Sequence, residues 1–164
     1  MSEDDISRPL VPTSGVSFDD QVRIIRAYVV LSENGKNPVH YKDVMRITRL
    51  GRTQISGVNS FMVMLGLLVN TSRGNYSPTE AAIDFSNCDP GDENFTQIAS
   101  ILEKSLLFRN VNRYLRIHGG GMSQGLVEFI MEEAGTKEES RVSSALEWFS
   151  RSGLIQPFLE EESD

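Results

Sequence analysis

Residues 39–79 constrain the fold of this chain more than any other stretch. Their hydrophobic pattern predicts a short helix over residues 39–46, a turn at Leu50-Gly51 and a longer helix over residues 52–65. Two short strands around a turn at Arg73-Gly74 follow. The sequence therefore predicts a helix, a turn, a second helix and a hairpin, in that order.

The longer of these helices carries its apolar residues at helical spacing, which predicts one buried stripe. The stripe consists of Ile55, Val58, Phe61, Met62 and Leu65. Gly66 follows directly and suits the left-handed conformation in which many helices end.

Composition changes along the chain divide it into segments. Pro9, Pro12 and Gly15 indicate a flexible arm at the start, and Ser17 is a helix cap. Pro90 and Gly91 indicate a linker. The predicted organisation is an arm over 1–16, a first domain over 17–87, a linker over 88–93, a second helical domain over 94–159 and an acidic tail over 160–164.

The second half is predicted to begin with one long helix over residues 94–117, which is too apolar to be a surface helix. An internal repeat appears when the chain is shifted by 87 residues. The shift aligns the buried stripe with Val142, Ala145, Trp148 and Phe149, and Gly66 with Gly153. The second half therefore reads as a degenerate copy of the first, without a hairpin.

These features resemble the winged helix-turn-helix superfamily. The resemblance rests on element order, on Leu65-Gly66-Leu67-Leu68 between helix and hairpin, and on Tyr76-Ser77-Pro78-Thr79 after the hairpin. It implies a mainly α fold with a small β-hairpin wing. Two winged-helix-like units would stand in tandem, joined by the long helix, and the second would lack a full wing.

The charge distribution separates the two halves. The chain has a net charge of −7, but residues 18–80 carry eight Lys and Arg against five acids. Residues 81–164 carry seven bases against fifteen acids. The first half is thus a basic island in an acidic protein, as a nucleic-acid contact would require.

The resemblance also implies a set of DNA-binding residues. In this superfamily, the helix matching residues 52–65 enters the major groove and the wing, here residues 68–77, touches the backbone. The implied base-facing residues are Arg49, Arg52, Thr53, Gln54, Ser56 and Asn59, with Gly57 on the same face. The implied phosphate contacts are Lys42, Arg46 and Arg73, with Lys36 farther away.

No catalytic, metal or cofactor site is expected. The stretch His118 to Gly125 contains both HGGG and G-x-S-x-G, but no strand precedes Ser123 and no histidine follows it. We expect Ser123 to cap a helix instead. One cysteine and two distant histidines do not make a structural zinc site.

The sequence leads to two functional hypotheses. The first is a cytoplasmic DNA-binding protein, a transcriptional regulator, that reads duplex DNA with its first half. Residues 94–117 and the acidic second half would then form a homodimer or bind a protein partner. The second is a tandem winged-helix adaptor that binds protein and does not touch DNA. No membrane contact is expected, because the longest apolar run, residues 61–69, is far shorter than the roughly 20 residues of a span.

Overall fold

The computed structural model of the chain describes residues 9–157, which are mainly helical with one small antiparallel sheet. The expected acidic tail over 160–164 lies outside the described residues. The helices of the first half are α1 (Phe18–Leu31), α2 (Tyr41–Thr48), α3 (Arg52–Leu65) and α4 (Glu80–Ser86). Its strands are β1 (Val39–His40), β2 (Leu68–Ser72) and β3 (Asn75–Pro78).

The predicted order of helix, turn, helix and hairpin is confirmed. All five residues of the apolar stripe on α3 are fully buried, and Gly66 ends the helix with a φ of +87°. The hydroxyl of Ser17 accepts the N–H of Asp20 at 3.2 Å and caps α1, as expected.

The prediction of a helix over residues 39–46 is wrong at its start, because Val39 and His40 form strand β1. The sheet has the order β1-β3-β2, and Val39 of β1 pairs with Tyr76 of β3. Helix α2 starts only at Tyr41, because Nδ1 of His40 accepts the N–H of Lys42 at 3.2 Å and caps it. A pairing partner more than thirty positions away leaves no local sequence signal.

The expectation of a flexible arm over 1–16 is wrong for residues 9–16, which pack against the first half. The side chains of Val11 and Val16 are buried in the core. The N–H of Thr13 donates to the carbonyl of Gly57 at 3.3 Å, and Ser14 Oγ donates to the carbonyl of Thr53 at 3.3 Å. The segment therefore lies along one side of α3.

The second half begins with a 3₁₀ helix, Phe95–Ile98. The helices that follow are α5 (Ala99–Leu102), α6 (Leu106–His118), α7 (Gln124–Ala134) and α8 (Glu139–Arg151). The prediction of one long joining helix over 94–117 is therefore wrong. Ser105 interrupts it, because its hydroxyl caps the N–H of Phe108 at 3.2 Å and so starts a separate helix.

One continuous core serves both halves. Gln21 of α1 is fully buried, and its Oε1 accepts the indole N–H of Trp148 of α8 at 2.8 Å. Its amide nitrogen donates to Ser144 Oγ of the same helix at 3.0 Å. Arg26 holds the segment between the halves, with Nη1 3.0 Å from a Glu93 carboxylate oxygen. The first and second halves are thus joined by polar contacts as well as by apolar packing.

Membrane crossing can be assessed from helix length and hydropathy. None of the helices in the described part of the chain is both long enough and apolar enough to span a bilayer.

Candidate nucleic-acid interface

The tip of the β2–β3 hairpin is fastened to the start of α2. The N–H of Tyr41 donates to the carbonyl of Gly74 at 3.0 Å. Gly74 has a φ of +79°, and a Cβ there would lie 2.8 Å from Nε2 of His40. Only glycine lets the hairpin turn approach His40 this closely. The hairpin therefore has a fixed position relative to α2.

The start of α3 also lies next to Tyr41. The guanidinium carbon of Arg52 lies 5.7 Å from the centre of the Tyr41 ring, which is cation–π distance. Lys42 follows Tyr41 in the chain, and Arg73 precedes Gly74. We call Lys42, Arg52 and Arg73 the cationic cluster; all three side chains are exposed.

Among residues 9–157, no acidic side chain forms a salt bridge with any member of the cationic cluster. Arg46, the third implied phosphate contact, differs from them. Its guanidinium lies 2.5 Å from a carboxylate oxygen of Asp43, one turn earlier on α2. Arg46 is 80% exposed, so the pair is a weak surface interaction that an anionic ligand can displace.

Arg49 lies in the turn between α2 and α3, with its side chain exposed. Its φ is +64°, a left-handed conformation that is uncommon for a residue other than glycine. The backbone N–H of Arg49 donates to the carbonyl of Met45 at 2.9 Å, which ends α2 in the usual way. The turn directs the chain into α3 three residues before Arg52.

Of the other residues implied on α3, only some are available to a ligand. Thr53 and Ser56 are exposed. Gln54 is half-buried, and its Oε1 accepts the N–H of Gly51 at 2.9 Å at the start of the helix. Base contact by Gln54 would require this capping bond to break.

Asn59 does not belong to the interface, and the expectation that it faces bases is wrong. It is 2% exposed, and its Oδ1 accepts the hydroxyl hydrogen of Tyr28 on α1 at 2.9 Å. Burial raises the pKa of Tyr28 well above its ordinary range, and the neighbouring Tyr76 adds to this shift. Asn59 is therefore a core residue that satisfies a buried hydroxyl.

Gly57, expected on the same face, is buried as well. A Cβ on Gly57 would lie 2.7 Å from Thr13 Oγ1 and 2.9 Å from Ser14 Oγ. Residues 13 and 14 cover this part of α3, and Arg52, Thr53 and Ser56 remain exposed. Lys36 is exposed on the loop between α1 and β1.

The glycine-rich stretch after α6 has a structural role. Ser123 Oγ accepts the N–H of Leu126 at 3.1 Å and caps α7, as expected. Within residues 9–157, no group of three or more His, Cys, Asp and Glu side chains is arranged to hold a metal ion.

Comparisons with family models, with curated proteins and with solved structures found no match for this chain.

Proposed function

We propose that residues 17–87 form a winged-helix domain that binds duplex DNA, with α3 in the major groove and residues 68–77 as the wing. The protein would act as a transcriptional regulator. The element order from α1 to β3, in which the hairpin directly follows α3, supports this assignment.

The observation that carries the proposal is the cationic cluster. Lys42, Arg52 and Arg73 come from three parts of the chain and are exposed, in a protein of net charge −7. Arg52 contacts the Tyr41 ring, and Lys42 and Arg73 are the chain neighbours of Tyr41 and Gly74, whose backbones are hydrogen-bonded. Lys42 and Arg73 suit contacts to phosphates, which position a protein on DNA. Arg49 and Arg52 suit guanine, since a guanidinium can donate two hydrogen bonds to its O6 and N7.

The experiment is a fluorescence anisotropy titration of a labelled random-sequence duplex over a range of salt concentrations. Each phosphate contact contributes about 0.9 to the slope of log affinity against log salt. We expect Arg73→Ala and Lys42→Ala each to reduce this slope by about that amount. Lys137→Ala, which removes an exposed lysine outside the cluster, is the matched control and should leave the slope unchanged.

Two results would contradict DNA binding. The first is no detectable binding of any duplex at low salt by the folded protein. The second is a salt slope that Arg73→Ala and Lys137→Ala lower equally, because the cluster would then have no special part.

A second candidate function is an adaptor that binds only protein. It is favoured because two of the residues expected to contact bases are not free to do so. Asn59 is buried and Gln54 caps α3, so fewer residues remain for sequence readout. Helix α6 also exposes apolar side chains, with Leu106 at 40% and Ile117 at 75%. A stoichiometric protein partner together with no shift of any duplex would favour the adaptor.

We further propose that α6 to α8 are a degenerate copy of α1 to α3, as the 87-residue repeat suggests. The ends of α3 and α8 support this. The N–H of Leu67 donates to Met62 at 3.0 Å, and the N–H of Leu154, 87 positions on, donates to Phe149 at 2.9 Å. Gly66 and Gly153 have φ values of +87° and +83°. Both helices thus end in the same type of cap.

A further inference from the structure

An open groove runs along α1. Its floor extends from Phe18 to Val30, a distance of about 18 Å at helical rise. Ile47 and Thr48 at the end of α2 line one side, and the segment from Pro90 to Phe95 lines the other. Its volume is about 550 Å³, within the range of sites for small organic molecules.

The groove is apolar along most of its floor. Phe18, Val22 and Ala27 lie on successive turns of α1, and the ring of Phe95 lies 5.6 Å from that of Phe18. Val30 and Ile47 line the groove and are 67% and 53% exposed. An apolar ligand would remove these surfaces from water, which is favourable.

Three arginines from both halves line the groove: Arg23, Arg26 and Arg151. Arg26 is largely buried, and its guanidinium already has partners. It lies 3.0 Å from a carboxylate oxygen of Glu93 and donates to the carbonyl of Cys88 at 2.5 Å. Arg23 and Arg151 are about half exposed, and Arg151 lies over the Phe18 ring at 5.2 Å. These two guanidinium groups can turn toward a ligand.

The present partners of Arg23 and Arg151 are weak competitors. Arg23 pairs with Asp20 at 2.7 Å and Arg151 with Glu147 at 2.8 Å, each on its own helix. Arg23 also donates from Nη2 to the carbonyl of Thr48 at 3.1 Å. Exposed ion pairs of this kind contribute little to stability. A ligand carboxylate held by the groove's apolar floor can therefore replace one of them and make a bidentate contact with the arginine.

The charge of the lining selects the ligand class. The half-exposed guanidinium groups of Arg23 and Arg151 are the positive charges of the lining that a ligand can reach. We propose that the groove binds an amphipathic monocarboxylate, with its aryl or alkyl body on Phe18 and Val22 and its carboxylate at Arg151 or Arg23. This site does not depend on the proposed DNA binding, and it is tested on the protein alone.

Trp148 is a built-in reporter for this test. It is the only tryptophan of the chain and is fully buried. Its ring lies 5.0 Å from Phe18 and 6.0 Å from Phe95, the two aromatic rings that line the groove. A ligand that packs on those rings should change the fluorescence of Trp148.

The probe is 4-phenylbutyrate, and the uncharged 4-phenylbutan-1-ol is its matched control. We expect 4-phenylbutyrate to change Trp148 fluorescence in a saturable way and to give the same affinity by calorimetry. The alcohol should bind at least about tenfold more weakly, because it lacks the charge-assisted contact. Equal affinity of the acid and the alcohol, or no saturable response to the acid, would overturn the proposal.

Variants then locate the site. Arg151→Met and Arg23→Met keep the side-chain stem and remove the charge; at least one should weaken 4-phenylbutyrate about tenfold. Arg113→Met is the control, since Arg113 is exposed on α6 outside the groove. A loss in Arg113→Met equal to that in Arg151→Met and Arg23→Met would mean nonspecific attraction and would overturn the site.

Discussion

Asn59 illustrates how residue chemistry and residue position can disagree. An Asn side chain on a helix that enters the major groove is chemically suited to adenine. Asn59 instead accepts the hydroxyl hydrogen of Tyr28 in the core. This hydrogen bond joins two helices, since Tyr28 is on α1 and Asn59 is on α3. A buried hydroxyl costs little when it has an acceptor and much more when it loses one.

Asn59→Ala should therefore lower stability and leave Tyr28 without its acceptor. We expect the free energy of unfolding to fall by about 1–3 kcal/mol, measured by urea denaturation. Tyr28→Phe/Asn59→Ala should cost less than the sum of the single changes, because both polar groups are then removed. Ser56→Ala, an exposed position on the same helix, should stay within about 0.5 kcal/mol of the wild type. Equal losses for Asn59→Ala and Ser56→Ala would contradict the core role.

Tyr28 also gives a pH dependence. Its pKa in the folded protein is raised by burial, so the unfolded chain releases the proton first as the pH rises. Stability is fully present below the ordinary tyrosine pKa of about 10 and falls above it, by up to about 1.4 kcal/mol per pH unit. Urea denaturation at about pH 8 and pH 11 should show a smaller decline in Tyr28→Phe than in the wild type. The same decline in both proteins would rule out this contribution.

At the scale of elements, α3 and α8 end alike but in different surroundings. Gly66 and Gly153 both have left-handed backbones. A Cβ at Gly66 would lie 2.7 Å from Cγ1 of Ile101, whereas nothing lies within 4 Å of a Cβ at Gly153. The two positions therefore share a conformational requirement and differ in packing.

Alanine substitutions at Gly66 and Gly153 separate the cost of a left-handed backbone from the cost of a steric clash. Gly153→Ala should cost about 1–2 kcal/mol, the expense of a left-handed conformation with a Cβ. Gly66→Ala should cost more, because Ile101 must also move. Thermal or urea denaturation of both variants is the measurement, and Gly66→Ala/Ile101→Ala should be less destabilised than the sum of its single changes. Equal costs for Gly66→Ala and Gly153→Ala would contradict the clash with Ile101.

At the scale of the whole molecule, Trp148 connects the halves. Its ring lies 5.0 Å from Phe18 of α1 and 6.1 Å from Phe85 of α4. Its indole N–H has Gln21 as acceptor. Neither half can bury its share of this surface without the other, which makes separate unfolding of the halves costly.

The protein should therefore unfold in one cooperative step. In urea, Trp148 fluorescence and far-ultraviolet circular dichroism should give coincident transitions. Gln21→Met should lower the midpoint of both signals together, because it leaves the indole N–H without an acceptor. Two separate transitions, with α8 unfolding first, would show that the halves are independent domains.

Much of the first half was readable from the sequence, because its signals are local. The buried stripe and Gly66 of α3, the cap at Ser17 and the hairpin turn each depend on residues close together in the chain. The cationic residues at positions 42, 49, 52 and 73 were also correctly placed on the surface. Local spacing decides these features, since helix periodicity and caps involve neighbours within a few positions.

Features that depend on distant partners required the tertiary structure. The pairing of β1 with β3, the packing of Val11 and Val16, and the burial of Asn59 all depend on residues far away in sequence. The break at Ser105 is local, but a serine inside an apolar run fits both a continuous helix and a cap. The sequence by itself determined the helix, turn, helix and hairpin order of the first half and where its positive charge lies. Only the tertiary structure decided which of those polar residues face solvent, because burial is set by the packing of elements that are distant in the chain.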